Sequence, residues 1–394
     1  MLRRITRYLG FDLFAVFLLT VTTLTMLIML AFVGQEAVRH NLGIGPIVRI
    51  LPFVFPMALQ FALPGTILLT VCIVYGRMSA ANEIVALKSA GVSPMAVLRP
   101  AYVAAILISG VAVCLNDVAV SWGELGVRRV VLQSIEEIAY GMLRTHLSFQ
   151  RKDFEISVRR VDGKILIEPS VEFYGNNASR SITVNADTAE LGFDPEKNTL
   201  WFQMVNVLGE SDDGIEFHYP GKYLHSVPLD PQSDGRFISP SNLAIRQIPA
   251  ELVKTENFLL ETKQQLAGET ALHLLTGEFD RLTWDSWRRR VRSLQRAQGR
   301  LHRLETEPWR RCANGFSCFF FVLVGAPLAI RLRTADFWVT FGLCFLPTLI
   351  IYYPLLVYGT SAAKSGDLPP YCVWIGNFVL AIVGWWLYRG VKRY

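Results

Sequence analysis

The residue types that most often carry enzymatic chemistry are scattered in this sequence. Its six His and six Cys show no Cys-x-x-Cys pair and no Cys/His spacing that suits a metal ion. Neither HExxH nor GxSxG occurs, and the two Gly-Lys pairs, Gly163-Lys164 and Gly221-Lys222, lack the Ser or Thr of a phosphate-binding loop. We therefore predict a non-catalytic chain with no catalytic or metal site, no bound cofactor and no ATP of its own.

A short polar segment between two apolar runs, Tyr75–Pro94, has the strongest local pattern. Ser79 suits a helix N-cap, Glu83 lies near the positive end of the helix dipole, and Gly91 suits a helix stop. We predict a helix of about three turns within 76–94.

This short helix would place Ile84, Leu87 and Ala90 on one surface, and Pro94 would start the next helix. Because so small a helix cannot bury that surface alone, it needs a partner. Two interpretations stay open from the residues: a helix that rests on lipid headgroups, or a peg that inserts into a cytoplasmic subunit and transmits its motion.

An amphipathic helix is predicted at about 284–307. Its apolar side repeats at three-to-four spacing, with Trp284, Trp287, Val291, Leu294, Leu301 and Leu304. Its other side is dense in arginine: Arg288, Arg289, Arg290, Arg292, Arg296, Arg300 and Arg303. These arginines form either the solvated face of a packed helix or a contact for an anionic partner such as lipid phosphate.

The elements that carry these patterns belong to a membrane protein. Apolar residues make up 52% of the chain and charged residues 18%, and the net charge of +6 is too dispersed for nucleic acid. Six runs are long enough to cross a bilayer: Phe11–Val33, Leu51–Tyr75, Val97–Asn116, Ala313–Ile330, Phe337–Tyr358 and Tyr371–Tyr388. The prolines in the second and fifth runs predict kinked helices packed in a bundle.

Orientation follows from the basic residues near the ends of these runs. One side carries Arg3, Arg4, Arg7, Arg77, Lys88, Arg99, Arg331, Arg333, Arg389, Lys392 and Arg393; the other carries only Arg39, Arg49 and Lys364. The positive-inside bias places both termini in the cytoplasm and the segment 121–308 outside; in a bacterium with two membranes, outside means the periplasm.

Within that outer segment, 145–248 shows alternating apolar and polar residues with turn signals. In the first candidate strand Phe154, Ile156 and Val158 alternate with polar residues. Further candidate strands are Lys164–Glu168, Ser181–Ala186, Ala189–Phe193, Thr199–Val207 and Ile215–Tyr219. The turn signals are Asp162-Gly163, Gly175-Asn176-Asn177, Asp194-Pro195 and Asp212-Asp213-Gly214. The pattern predicts an antiparallel sandwich, jelly roll or curved sheet.

The segment YGRMSAANEIVALKSAGVSP resembles the coupling segment of the LptF/LptG (YjgP/YjgQ) family, the permease subunits of the lipopolysaccharide export ABC transporter. The shared positions are Gly76, Arg77, Glu83, Ala86, Leu87 and Gly91. Two further similarities are Trp309-Arg310-Arg311 with the later Gly325, Pro327 and Leu328, and the turn Gly366-Asp367-Leu368-Pro369-Pro370.

The resemblance implies six transmembrane helices in a 3+3 layout with an inserted periplasmic β-jellyroll. The implied domains are 1–120, 121–308 and 309–394. The implied partners are a cytoplasmic ABC ATPase dimer, a paralogous or identical permease subunit, a periplasmic β-jellyroll bridge protein and lipopolysaccharide or a similar lipid. The chain would be a multi-pass protein of the bacterial inner membrane.

By position in the family motif, Arg77, Glu83, Ala86, Leu87 and Gly91 would contact the ATPase. Candidate contacts for lipid phosphate are Arg39, Arg288, Arg292, Arg296, Arg310 and Arg311. The sequence departs from the family outside the first helix, where Gly34, Gln35 and Glu36 replace basic residues that commonly meet phosphate.

A rival hypothesis is a membrane-anchored extracytoplasmic sensor or scaffold, whose β domain binds a ligand and whose loop recruits a signalling partner. The absence of a cytoplasmic domain beyond short loops argues against it. A secondary transporter would need ionisable residues at mid-membrane and repeated halves, and the sequence has neither. Which permease paralogue this is, and which lipid it carries, stay open.

Overall fold

The computed structural model describes the chain apart from residues 1, 41–42, 151–153, 175–180, 195–198, 212–215, 229–238, 278–284, 333–336 and 394. The chain forms two compact units. The helical unit comprises Met1–Met29, Phe55–Gly123 and Ser239–Tyr394, and the β unit comprises Leu30–Val54 and Glu124–Ile238. The predicted segment 121–308 is thus divided between the two units, because its helical second part packs with the membrane helices.

The helices are α1 (Leu2–His40), α2 (Ile44–Ala80), α3 (Glu83–Ser89), α4 (Pro94–Val118), α5 (Leu125–Gln133), α6 (Ile135–His146), α7 (Ile248–Thr276), α8 (Asp285–Leu332), α9 (Phe337–Pro347), α10 (Tyr353–Ser365) and α11 (Ile375–Arg393). Two π-helical segments, Ala119–Glu124 and Thr348–Tyr352, join α4 to α5 and α9 to α10. Short 3-10 turns lie at Pro240–Asn242, Ile245–Gln247 and Pro370–Trp374.

Six helical stretches of the described chain are long and apolar enough to cross a membrane, as predicted. Five of them contain one of the apolar runs in full, and the fifth along the chain, Trp338–Ser365, contains all but the first residue of Phe337–Tyr358. The fifth stretch changes to π-helix at Thr348–Tyr352, between Pro347 and Pro354. Neither proline has a backbone N–H to continue the α-helical ladder, so one hydrogen bond is lost at each. Helix α2, in contrast, stays helical through Pro52, Pro56 and Pro64.

Helix α8 lies at the centre of the helical unit and contacts α4, α7, α10 and α11. A methyl group added to Gly315 would lie 2.4 Å from Val113 Cγ2 and 2.8 Å from its backbone nitrogen, so only glycine lets α8 approach α4 this closely. The Arg-rich helix and the fourth span are one continuous α8.

The β unit holds strands β1 (Ser148–Gln150), β2 (Phe154–Ser157), β3 (Arg160–Asp162), β4 (Ile165–Ile167), β5 (Ser170–Tyr174), β6 (Ser181–Asn185), β7 (Thr188–Asp194), β8 (Thr199–Ser211) and β9 (Glu216–Pro228). They form one antiparallel, curled sheet in the order β1-β2-β5-β6-β8-β7-β4-β3, and β9 pairs with the other edge of β8. This jellyroll-like sheet confirms the predicted fold class.

The core of the sheet follows the alternation that the sequence shows. Phe154 and Ile156 of β2 are fully buried, as are Leu200, Phe202 and Met204 of β8. The rings of Phe154 and Phe202 meet edge to face at 5.3 Å. Because alternate residues of a strand face opposite sides, these side chains define one buried face.

The predicted strands correspond to β2, β4 and β6 to β9, while β1, β3 and β5 are additional. The turn at Asp162-Gly163 is confirmed, since Gly163 has a φ of +64° and β3 pairs with β4 across it. The other predicted turns at Gly175-Asn176-Asn177 and Asp212-Asp213-Gly214, and the residues Pro195, Ile215 and Trp284, lie outside the described residues.

Helix α6 covers part of this sheet. Its Tyr140 hydroxyl donates a hydrogen bond to the Lys164 carbonyl at 2.7 Å and accepts one from the Leu191 amide at 3.1 Å. Burial raises the pKa of Tyr140, so the hydroxyl keeps its proton for these contacts. The helix thereby fixes β4 and β7 side by side.

Candidate functional site

The polar segment after the second span folds differently from the prediction at its start. Helix α2 continues to Ala80, and Asn82, with a φ of 57°, begins the seven-residue helix α3 without a side-chain cap. The predicted N-cap Ser79 is wrong: its hydroxyl is buried and donates to the Ile330 carbonyl of α8 at 2.7 Å. Burial of Val74, Tyr75 and Met78 in the helical core accounts for the longer α2, because tertiary packing stabilises an additional helical turn.

The end of α3 agrees with the prediction. Gly91 has a φ of +80°, and the amides of Gly91 and Val92 donate to the carbonyls of Lys88 and Leu87 at 3.0 Å each. This pair of bonds is the Schellman motif that satisfies the last carbonyls of a helix. Ser93 then caps α4 by accepting a hydrogen bond from the Ala96 amide, with Pro94 in the first helical turn.

The inner face of α3 packs on the protein itself. Ile84 is 4% exposed within the helical core, and Leu87 packs against the same core. Lys88 Nζ donates to the Val391 carbonyl near the end of α11 at 3.2 Å. The predicted partner surface is therefore wrong for Ile84, which is buried within its own chain.

The outer face of α3 consists of exposed residues: Glu83, Val85, Ala86, Ser89 and Ala90. Val85 is 43% exposed and adds an apolar side chain at the edge of this surface. Val85 was not among the predicted contact residues; it follows the buried Ile84 by one residue, which turns it about 100° around the helix from Ile84. The exposed side of α3 is therefore a small surface with one negative charge. Contacts of Ile84, Leu87 and Lys88 fix this helix to the rest of the chain.

Arg77 and Gly91 flank this surface without forming part of it. Arg77 Nη2 lies 2.5 Å from Asp12 Oδ2, so its guanidinium links α2 to α1. Gly91 is exposed and shapes the turn after α3. Of the predicted contact residues, Glu83 and Ala86 are thus brought to one outer face, whereas Leu87 is turned inward.

A buried ion cluster lies where α4 and α8 meet residues 239–247. Arg311 is fully buried, with Nη1 2.9 Å from Asp117 Oδ1 and Nε 3.1 Å from Glu307 Oε1. Its Nη2 also donates to the carbonyls of Ser241 and Leu243 at 3.1 and 2.7 Å. The prediction that Arg311 contacts lipid phosphate is wrong, because every face of its guanidinium is taken up inside the protein.

Other predicted phosphate contacts differ in exposure. Arg310 is about three-quarters buried and binds Glu307 through Nε and Nη2 at 3.0 and 2.5 Å. The exposed arginines of the predicted set are Arg39, Arg288, Arg292 and Arg296. Two neighbours on α8, Arg290 and Arg300, instead pair with Glu269 and Glu251 of α7. The arginine face of α8 therefore divides into a part that holds α7 and a part that is exposed.

Comparison with known proteins gives one family. The family described as lipopolysaccharide export system permease LptF/LptG matches residues 7–390, which is essentially the whole chain. A search of curated proteins found no match.

Proposed function

Since this chain belongs to the LptF/LptG family of lipopolysaccharide export permeases, we propose that it is the membrane subunit of an ATP-driven lipid exporter. In this proposal it extracts lipopolysaccharide, or a related lipid, from the inner membrane and passes it to a periplasmic β bridge. The subunit is non-catalytic, and because the sequence has no phosphate-binding loop, another subunit must hydrolyse the ATP.

The outer face of α3 is the observation that carries the ATP-driven part of the proposal. Ile84, Leu87 and the Lys88–Val391 contact fix the helix to the bundle, so a force on α3 reaches α8 and α11. The exposed Val85 and Ala86 give a small apolar contact, and Glu83 adds a charge that selects a basic partner surface. We propose that a dimeric ABC ATPase docks here in the cytoplasm.

A permease subunit of this kind works with a second one. We propose that a paralogous or identical chain lies across a lipid cavity, with the β unit in the periplasm next to the bridge protein. Exposed apolar side chains on α4 support this arrangement, because Ile106, Leu107 and Val111 need lipid or another helix to cover them.

The exposed arginines are proposed to meet the phosphates of the cargo. Arg288, Arg292 and Arg296 lie on α8 four residues apart, so their side chains share one face of the helix. Arg39 lies in the last turn of α1. Replacing all four with Gln should reduce photocrosslinking to lipopolysaccharide while leaving the ATPase bound, and unchanged crosslinking would remove this assignment.

The decisive experiment is affinity purification of the chain in mild detergent, followed by identification of bound proteins and an ATP hydrolysis assay. Glu83→Arg should abolish recovery of a phosphate-loop ATPase, because the new charge repels a basic docking surface. Val85→Asp tests the apolar part of the same face. The matched control is Glu256→Arg, which makes the same charge change at an exposed position on α7.

Recovery of the ATPase by the wild type and by Glu256→Arg, with loss in Glu83→Arg, supports the exporter. A chain that purifies without an ATPase, or with a signalling enzyme, would overturn the proposal in favour of a scaffold. Equal recovery by Glu83→Arg would place the docking surface elsewhere.

A further inference from the structure

A basic pocket lies beside α3, and Val85, which is partly exposed at the edge of the proposed docking face, contributes to its wall. Its volume is about 350 Å³, and its wall includes Ser79 of α2, Ile84 and Lys88 of α3, Arg331 of α8 and Val391 of α11. The described residues that line it include two cations and no carboxylate. A pocket of this size and charge suits a small anionic group.

Arginine–tryptophan contacts lie at the end of the last span, beside the pocket residues Arg331 and Val391. The Arg331 guanidinium carbon is 5.8 Å from the centre of the Trp386 ring, and that of Arg389 is 5.2 Å from the Trp385 ring. Both tryptophans are more than half exposed near the end of the last span. Tryptophan with arginine at a helix end is typical of a membrane–water interface.

We propose that this pocket binds the phosphate of an anionic phospholipid, with Lys88 and Arg331 as its ligands. An ammonium has three N–H donors, so Lys88 can hold the Val391 carbonyl and a phosphate oxygen together. Arg331 supplies charge-assisted hydrogen bonds from the other wall. Basic pockets between spanning helices are a recurrent site for such headgroups.

The pocket favours a lipid over an acidic side chain of a protein partner. Apolar groups of Ile84, Val85 and Ile330 continue the wall beyond the two cations, which suits the glycerol and upper acyl chain of a lipid. Trp386, which lies over the Arg331 guanidinium, favours an entrance that faces the bilayer interface. A bound lipid would join α3 to α8 and α11 and so fix the position of the loop helix.

The test measures lipid retained by the purified chain alone, which makes it independent of the ATPase. The chain is reconstituted in nanodiscs of phosphatidylcholine and phosphatidylglycerol. Native mass spectrometry then releases it into the gas phase and measures the masses of the lipids that stay bound. The wild type should keep phosphatidylglycerol in preference to phosphatidylcholine. Lys88→Gln with Arg331→Gln should reduce that preference by about tenfold to thirtyfold, because each cation contributes.

Two variants make the result specific. Arg99→Gln removes an exposed arginine of α4 outside the pocket and should keep the preference. Arg331→Lys keeps the positive charge and should retain most of the preference for phosphatidylglycerol. This outcome would show that the double variant loses lipid binding because it loses charge and not because it misfolds. The proposal is overturned if the wild type shows no preference for phosphatidylglycerol. It is equally overturned if Arg99→Gln reduces this preference as much as the double variant does. It is also overturned if the double variant keeps its lipid but no longer recovers the ATPase, because the pocket would then serve a protein partner.

Discussion

Replacing Arg311 with Met should release the segment that follows the β unit from the membrane helices. The variant keeps a side chain of similar length but removes the cation from a site in which Arg311 has no exposed surface. Breaking a buried ion pair usually costs about 3–5 kcal/mol, because the remaining charge stays buried without a partner. Arg310 still holds Glu307, so the group that loses its cation is mainly Asp117, whose side chain is 29% exposed and keeps the Ile245 amide as a donor. Because Asp117 is partly solvated, we expect the lower end, about 3 kcal/mol.

The Ile245 amide gives a local readout, because it donates to Asp117 Oδ1 at 2.8 Å within this cluster. A loss of about 3 kcal/mol in opening free energy should accelerate its hydrogen exchange roughly a hundredfold. Exchange of a peptide covering 239–247, measured by mass spectrometry in detergent, reports this change directly.

Arg310→Gln is the control, since Glu307 keeps Arg311 and the change should remain below about tenfold. Adding Asp117→Asn to Arg311→Met should slow exchange again, because the carboxylate charge that lost its cation is gone. Equal exchange in Arg311→Met and Arg310→Gln would refute the assignment of Arg311 as the residue that holds this segment.

Three further outcomes are expected. Tyr140→Phe should lower the stability of the β unit by about 1–3 kcal/mol in denaturant unfolding of the full chain, because the Leu191 amide loses its buried acceptor. Gly315→Leu should reduce the yield of folded, monodisperse protein, since its side chain would overlap Val113, and Gly299→Leu, in open space on the same helix, should not. Burial lowers the pKa of His225 below its ordinary value of 6.5, so the unfolded chain binds the proton first as pH falls. Wild type should therefore lose stability relative to His225→Phe below about pH 6.5, and an identical pH profile of the two thermal midpoints would contradict this reasoning.

Patterns that depend on near neighbours were readable from the sequence. The six spans follow from the length of the apolar runs, and the strands from alternation within a few residues. Gly91 was readable as a helix stop because the left-handed conformation there is a local property of glycine.

Contacts between distant residues could not be read in the same way. Serine is a typical N-cap residue, but the hydroxyl of Ser79 donates to the carbonyl of Ile330, 251 positions away. Arg311 has the composition of a phosphate contact, and its Asp117 partner is 194 positions away. Only Glu307, one helical turn before Arg311, gave a local signal that the arginine is paired.

The long helix α8 contains two prolines, and each marks a point at which the helix bends more readily. Pro308 and Pro327 each remove a backbone hydrogen bond, and helices bend most readily at such points. The helical segment between Pro308 and Pro327 is about 28 Å long, close to the roughly 30 Å thickness of a bilayer core. Pro308 adjoins the Arg311 cluster, and Pro327 lies one turn before the Ile330 carbonyl that receives Ser79. A bend at either proline would therefore move one end of α8 against the contacts beside it, while the segment between the prolines keeps its own hydrogen-bond ladder.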